Sequence, residues 1–251
     1  MSGYENFLLR MNACGNTLRE EHIENSKMLL NMTFTDDPSY IPEGVKVWYS
    51  DRIIHPRIYD YKWKSTTPFQ ATIQTLINEP FYLGDVVPWG KDNGYWMVVG
   101  VNNLHGINWE GVLQYCNYRI KFISPLNGEI REYPISMINA TQYGTGEEYK
   151  NLISIGSAAH IVYLSCDEHT VLLNNGFRFL LDKNTQKPTA YRLTQVDSTS
   201  FANDKGGYLR LSVLEEQFNP KTDNAEKMIA DFYEDIVGNN TEVIIDETKW
   251  L

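Results

Sequence analysis

The sequence predicts a mainly β protein with helices near its two ends. Short stretches rich in β-branched and aromatic residues recur from Val45 onward, and turn-forming pairs such as Asn-Gly separate many of them. Helical periodicity is confined to the two ends of the chain. The 251 residues, 42% hydrophobic and 13% aromatic, are enough for one large domain or two to three small ones, and too apolar for a disordered chain.

Residues 1–40 are predicted to be an N-terminal helical segment. Thr17-Leu18-Arg19-Glu20 fits a capping box, in which the threonine and glutamate side chains bond backbone amides at a helix start. Asp36-Asp37-Pro38 is expected to end this helix, because proline cannot continue it. A shorter helix over about 4–11 is expected to precede it. The apolar face of the main helix is predicted to consist of Ile23, Met28, Leu29 and Met32.

Residues 41–141 are predicted to form a small antiparallel β-domain. Turn residues such as Asn93-Gly94 and Asn127-Gly128 supply the positive φ that tight hairpins require. Short strands at this spacing indicate a closed barrel or a sandwich, and we expect a barrel of the SH3 or OB type. The predicted strands are residues 45–49, 57–63, 69–76, 82–88, 95–101, 111–123 and 129–135.

A second β-domain is predicted over residues 147–218, after a glycine-containing hinge at 142–146. Six or seven short strands within about seventy residues are typical of an Ig-like sandwich. The Cys…Trp…Cys hallmark of antibody domains is absent, so only the architecture is implied. The predicted strands are residues 152–155, 160–164, 170–173, 177–181, 191–196 and 208–214.

Residues 219–251 are predicted to form a C-terminal helix and a tail. Asp223-Asn224-Ala225-Glu226 can cap the helix, and Gly238 lies where its C-terminal cap is expected. The tail ends with an apolar segment over 242–246 that can form an edge strand or dock on a neighbour. The apolar stripe of the helix is predicted to be Met228, Ile229, Phe232, Tyr233 and Ile236.

The motifs favour no enzyme: we predict no catalytic residue, no cofactor and no metal site. Ile155-Gly156-Ser157-Ala158 departs from the G-x-S-x-G motif of serine hydrolases. Gly144-Thr145-Gly146 lacks the lysine of a phosphate-binding loop. Cys166-Asp167-Glu168-His169 contains four possible ligands, but in a hairpin such a cluster is more often a polar turn, and no second cluster completes a site.

The charge and the cysteines also limit the function. With 22 Lys+Arg and 32 Asp+Glu the net charge is −10, which argues against broad binding to nucleic acid. Three cysteines are an odd number and are expected to be reduced thiols of a protein made in the cytoplasm. No apolar run of about 18 residues occurs, and the start of the chain does not resemble a secretion signal, so we expect no membrane contact.

Tryptophans are concentrated in the first β-region. If several of them are exposed on one face of the domain, they can stack on sugar rings. The alternative is that they pack in the core or at a protein interface. This leaves a peripheral tail, baseplate or adhesin-type module that binds host carbohydrate or protein as the alternative function. The tryptophans concerned are Trp48, Trp63, Trp89, Trp96 and Trp109.

Four short motifs follow one another in the central part of the chain, at Gly84-Asp85 and at residues 95–99, 111–118 and 127–130. In this order they resemble a family of structural proteins from tailed phages of Gram-positive bacteria, assigned as head–tail connector or head-closure (stopper) proteins of the neck. Similar segments occur at residues 10–20, 178–182, 191–194, 207–211 and 223–232, so the resemblance covers most of the chain. The motifs are structural rather than catalytic.

The resemblance implies a virion protein of the phage neck. It would form a homo-oligomeric ring around the DNA exit channel, with portal or adaptor proteins above and tail-terminator or tail-tube proteins below. Genomic DNA would pass through the lumen without sequence-specific binding. No catalytic residue, cofactor or metal is implied.

Within this hypothesis, two loops are expected to face the channel or a neighbouring subunit, although ordinary solvated loops explain them equally. Phe232 and Trp250 are candidate docking anchors, because a buried aromatic side chain contributes much of the energy of an interface. The terminal helix that carries Phe232 can also pack on its own domain. The loop residues concerned are Lys91, Asp92, Asn93, Asn102, Asn103 and His105.

Overall fold

The computed structural model describes residues 17–60, 69–90, 94–104, 106–139, 159–181, 188–203 and 205–232. Within these ranges the chain is mainly β, as predicted. The described residues contain one α-helix, α1 (Leu18–Thr33), which continues into a 3-10 turn (Phe34–Asp36). The strands divide between a first unit, residues 1–114, and a second unit, residues 115–251, and each is described by itself.

Helix α1 begins at the predicted capping box. The Thr17 hydroxyl accepts a hydrogen bond from the Glu20 amide, and the Glu20 carboxylate accepts one from the Thr17 amide, both at 3.2 Å. These bonds satisfy two amides that a helix start leaves without an internal partner. The α-helix ends at Thr33, and the 3-10 turn carries the chain to Asp37 and Pro38, where the sequence predicts the end of the helical region.

The first unit contains a five-stranded sheet and a hairpin. Its strands are β1 (Val45–Lys46), β2 (Ile53–Ile54), β3 (Arg57–Asp60), β4 (Gln70–Leu76), β5 (Val86–Trp89), β6 (Gly94–Leu104) and β7 (Asn108–Tyr115). The sheet order is β3-β4-β7-β6-β5, and β1 pairs with β2. The Trp48 amide donates to the Val86 carbonyl (2.8 Å), which joins the hairpin to β5. One core includes Val47 from the hairpin region and Ile73 and Leu113 from the sheet.

The second unit is one curled antiparallel sheet. Its strands are β8 (Tyr118–Ile123), β9 (Ile130–Asn139), β10 (Ala159–Ser165), β11 (Arg178–Leu181), β12 (Thr189–Asp197), β13 (Ala202–Asn203) and β14 (Gly206–Glu216). The order is β11-β12-β14-β10-β9-β8, and β13 pairs with β14. The edge strands approach each other, because the rings of Phe122 on β8 and Phe179 on β11 are 6.2 Å apart. The sheet is thus a nearly closed barrel around Tyr133, Leu164 and Leu211.

This arrangement differs from the predicted domains. The described strands of the second unit lie in one sheet and not in the two facing sheets of an Ig-like sandwich, which is not confirmed. Strands β8 and β9, predicted within residues 41–141, belong to the second unit because β9 pairs with β8 on one side and β10 on the other. The division falls after Gln114. The predicted hinge, residues 142–146, lies outside the described residues.

The predicted strand over residues 170–173 is wrong, because Thr170–Leu172 is a 3-10 turn. The Asp167 carboxylate accepts hydrogen bonds from the amides of His169 (2.9 Å) and Thr170 (2.8 Å), as a helix N-cap does. The Thr170 hydroxyl in turn accepts a bond from the Asp167 amide (2.8 Å). Local side-chain bonding therefore overrides the strand preference of these residues. We call residues 166–173 the capped turn.

The predicted C-terminal helix is not confirmed over its described part. Asn224 and Ile229 pair across a turn, and the backbone φ is 56° at Met228 and 49° at Asp231. Neither value is compatible with a right-handed α-helix. Residues 217–232 form a loop instead, and the remainder of the predicted helix and the tail, residues 233–251, lies outside the described residues.

Candidate functional site

Two of the predicted loop residues lie on a strand. Asn102 and Asn103 are exposed residues of β6, which extends further than predicted because it runs beside β7 in the sheet. The Asn103 side chain accepts a hydrogen bond from the Gly106 amide (2.8 Å), so it stabilises the turn that follows β6. The other four predicted loop residues, Lys91, Asp92, Asn93 and His105, lie outside the described residues.

Phe232, a predicted docking anchor, contacts its own chain. The Lys227 ammonium lies 4.1 Å from the centre of the Phe232 ring, which is a favourable cation–π distance. The Phe232 amide donates to the Thr222 carbonyl (2.7 Å). Both contacts hold the half-buried Phe232 on the loop of residues 217–232. The second predicted anchor, Trp250, lies outside the described residues.

Helix α1 exposes large apolar side chains along its length. The exposed fractions are 71% for Leu18, 63% for Met28, 65% for Leu29 and 66% for Met32, and no residue of the helix is buried. With about 3.6 residues per turn, these four side chains fall on one face roughly 100° wide. We call them the α1 stripe. Within the described ranges, no helix combines the length and the apolar character needed to cross a membrane.

The α1 stripe differs from the predicted apolar face at one position. Ile23 was predicted to lie with Met28, Leu29 and Met32, but it is half-buried on another side of the helix, and Leu18 completes the exposed stripe instead. An amphipathic helix of a globular domain normally buries its apolar face. The α1 stripe contributes no such burial among the residues that the structure describes.

Arg57 fixes the C-terminal end of α1. Its Nε donates to the Phe34 carbonyl (2.8 Å) and its Nη2 to the Thr33 carbonyl. The same guanidinium lies 4.2 Å from the centre of the Phe34 ring, which is 1% exposed. Because the last carbonyls of a helix carry partial negative charge, Arg57 both bonds and neutralises them. The helix is therefore anchored at its end while the stripe faces solvent.

A serine–histidine pair lies at one end of the second-unit barrel. The Ser124 hydroxyl and His169 Nδ1 are 2.8 Å apart, and the Glu168 carboxylate lies 3.7 Å from His169 Nε2. Nucleophilic catalysis needs a serine that a substrate can reach. Ser124 is 1% exposed, and its hydroxyl also accepts a bond from the Leu126 amide (3.2 Å). The pair therefore ties the β8–β9 turn to the capped turn and presents no accessible nucleophile.

A polar groove of about 250 Å³ lies at the opposite end of this barrel. Asn117 is already engaged there, because its amide group donates to the Met137 carbonyl (2.9 Å) and accepts from the Met137 amide (2.8 Å). The His160 ring packs edge-on against Tyr191, with 5.4 Å between ring centres. These contacts stabilise the barrel end, and the lining favours no particular class of ligand.

The described tryptophans contact other rings at steep angles. Trp89 and Trp96 meet edge to face at 5.0 Å, and Trp48 meets Tyr95 in the same way at 4.7 Å. The Trp109 indole donates to a backbone carbonyl (3.1 Å). All four of these tryptophans are half-buried, and these contacts are typical of aromatic side chains that pack within their own domain. Trp63 lies outside the described residues.

The predicted polar turn at residues 166–169 has a structural explanation. Asp167 accepts a hydrogen bond from the Tyr133 hydroxyl (2.5 Å) in addition to those from the capped turn. Across the part of the chain that the structure describes, no three His, Cys, Asp or Glu side chains are grouped as metal ligands. Cys116 is buried, and burial raises the pKa of the Cys166 thiol, which disfavours the reactive thiolate.

No family model, curated protein or solved structure matches this chain. The resemblance to phage neck proteins therefore depends on the short motifs alone. In the structure, residues 95–99 lie in β6 and residues 111–118 span the step from β7 to β8. Gly128, in the turn between β8 and β9, has φ 69°, which explains the glycine there. The central motifs thus coincide with strand and turn positions.

Sequence reasoning found α1 but missed two features. No local sequence pattern indicates that the α1 stripe is exposed, because apolar residues at helical spacing are typical of a face that packs against a core. Polar Glu21, His22 and Asn25 between Leu18 and Met28 were a weak indication that this face is not a core face. The Ser124–His169 contact joins positions 45 residues apart, so no motif could reveal it.

Proposed function

We propose that the protein is a structural component of a tailed-phage neck. It forms a homo-oligomeric ring that joins or closes the head below the portal and docks the tail, with DNA passing through the lumen. Portal or adaptor proteins lie above it and tail-terminator or tail-tube proteins below. The protein is made in the host cytoplasm and functions in the virion, without a catalytic residue, cofactor or metal of its own.

The α1 stripe is the observation that carries this proposal. Full burial of a Leu or Met side chain contributes about 1.5–3 kcal/mol, and four such side chains are left in solvent. In a ring, each copy contacts the next through two different surfaces. We assign the α1 stripe to the contact with the neighbouring copy, because a helix anchored at its end by Arg57 needs little further ordering when it binds.

The architecture supports the same proposal. The second unit is a nearly closed barrel, and the resemblance implies a small β-barrel, although the sequence predicts that barrel over residues 41–141. The wall of a ring needs rigid β-units whose ends are closed by hydrogen bonds between polar side chains. It does not need an open active site. The polar contacts of Ser124, His169 and Asn117 at the two barrel ends are of this kind.

The test is complementation of a phage in which this gene is blocked. Blocking the gene should give unattached tails beside heads that have lost their DNA, as seen by electron microscopy. Wild-type protein supplied in trans should restore complete particles, whereas Leu29→Glu should not, because it places a charge in the stripe. Ser26→Glu adds the same charge to an exposed position on another side of α1 and should restore them.

Two outcomes would overturn parts of the proposal. Complete, DNA-filled particles that no longer adsorb to the host would contradict the neck role and favour the adhesin-type alternative. Full rescue by Leu29→Glu would show that the α1 stripe is not the contact, even if the blocked gene gave the neck phenotype.

A further inference from the structure

Residues 217–232, which follow β14, form a loop closed by its own hydrogen bonds. Asn224 and Ile229 exchange both backbone hydrogen bonds (2.9 and 3.1 Å), and the Phe232 amide donates to the Thr222 carbonyl (2.7 Å). The backbone-to-backbone hydrogen bonds described for this loop all stay within it. Its shape therefore does not depend on pairing with the barrel strands.

The loop covers an apolar strip on the outer side of the barrel. Leu180 on β11 and Ala190 on β12 are 1% and 0% exposed, and they cluster with Ala230, Phe218 and Met228 of the loop. Side chains alternate along a strand, so Leu180 faces away from the core that its neighbours on β11 fill. Among the described residues, those of the loop are the ones that cover this strip.

Arg178 on β11 makes the polar attachment of the loop. Its guanidinium bonds both carboxylate oxygens of Asp223 and one of Asp231, each at 2.9 Å, and donates to the Gln217 carbonyl (3.2 Å). It also bonds Glu216 at the end of β14 (2.9 Å). A two-pronged arginine–carboxylate pair is among the strongest and most geometry-dependent contacts in proteins.

Two features of the closed loop oppose this attachment. Three carboxylates surround a single guanidinium, which leaves an excess of negative charge at the contact. Met228 and Asp231 are held at positive φ, a region that is unfavourable for residues with a side chain. In the described part of the chain, Arg178 and the apolar strip are the contacts that hold the loop closed.

We propose that residues 217–232 are a latch that opens by local unfolding while the second-unit barrel stays folded, and that Arg178 holds the latch closed. Opening uncovers Leu180 and Ala190 and moves the point from which residues 233–251 continue. The latch is a conformational switch built into the outer wall of the barrel, and it does not depend on the neck role.

Hydrogen exchange followed by mass spectrometry on the full chain tests the latch. In the wild-type protein, amides of residues 217–232 should exchange at least about tenfold faster than those of β14, because the latch opens below the cost of global unfolding. Arg178→Lys keeps the charge but loses the two-pronged geometry, and it should speed latch exchange again by about tenfold or more. Arg192→Lys makes the same change at an exposed neighbour on β12 and should change neither region.

Equal exchange of the latch and β14 in the wild-type protein would overturn the proposal without any variant. The proposal also fails if Arg178→Lys speeds exchange of β14 and the latch equally, since the arginine would then stabilise the whole barrel. Trypsin provides a second measurement, because Lys221 and Lys227 lie in the latch. Arg178→Lys should increase cleavage at both before the barrel is degraded.

Discussion

At the residue scale, Arg178 is surrounded by more carboxylates than it can neutralise. Asp223 is fully enclosed and accepts both prongs of the guanidinium. Asp231 is in a different position: burial raises the pKa of its carboxyl above the ordinary value, and Arg178 offsets this only in part. Ionisation of Asp231 in the folded protein therefore costs stability, although Arg178 bonds this side chain.

Asp231→Asn is expected to stabilise the protein at pH 7. A carboxyl whose pKa is raised by folding contributes most below its ordinary pKa, and this contribution is lost as the pH rises through the raised value. The amide avoids that loss and can still accept from Arg178, so we expect a gain of under about 1 kcal/mol. Urea unfolding at pH 7 and below pH 4 measures it, and the gain should shrink at the lower pH.

The matched control for this prediction is Asp223→Asn. The change removes the two-pronged ion pair of a fully enclosed carboxylate, while Asp231 and Glu216 still neutralise Arg178, so we expect a loss of about 2 kcal/mol at pH 7. A destabilised Asp231→Asn protein, or a gain that grows as the pH falls, would contradict the argument for Asp231.

At the scale of elements, the capped turn depends on Asp167. This side chain accepts two amides of the turn and the hydroxyl of Tyr133, which is 1% exposed. Asp167→Ala leaves these donors without that acceptor, and we expect a loss of about 2 kcal/mol in the free energy of unfolding. Chemical denaturation measures it. Glu168→Ala, at a neighbouring exposed position, should change stability by less than about 0.5 kcal/mol.

A double-mutant cycle sharpens this test. Adding Tyr133→Phe to Asp167→Ala removes the donor together with its acceptor, so the double variant should lose less than the sum of the two single variants. Additive losses would show that the Tyr133–Asp167 bond contributes nothing to the stability of the turn.

A comparison of α1 with the capped turn shows which local structure the sequence predicts and which it does not. Thr17 and Glu20 determine the start of α1 through bonds three residues apart, and the prediction succeeded there. At Asp167 the same kind of side-chain bonding starts a turn. The pattern of residues 170–173 predicts a strand there instead, and that prediction is wrong. The exposure of the α1 stripe could not be predicted, because it depends on what is absent around the helix in three dimensions.

At the scale of the whole molecule, most described strands lie where the sequence predicts them, but their grouping does not follow from spacing. Strand β9 pairs with β10, which begins twenty residues after the end of β9, so the β8–β9 hairpin belongs to the second unit. Sequence spacing gives the existence of short strands, whereas sheet order depends on non-local pairing. The boundary after Gln114 was therefore out of reach of the sequence argument.

The net charge of −10 is a property of the whole molecule, and it predicts weak binding to duplex DNA. Affinity for duplex DNA comes mainly from cations that displace the counterions of phosphates, and this chain has 22 Lys+Arg against 32 Asp+Glu. We expect no gel shift of duplex DNA even at about 50 mM salt, where such contacts are strongest. A retained complex that weakens steeply as salt is added would reveal a concentrated basic surface. It would also contradict the proposal that DNA slides past this protein without being held.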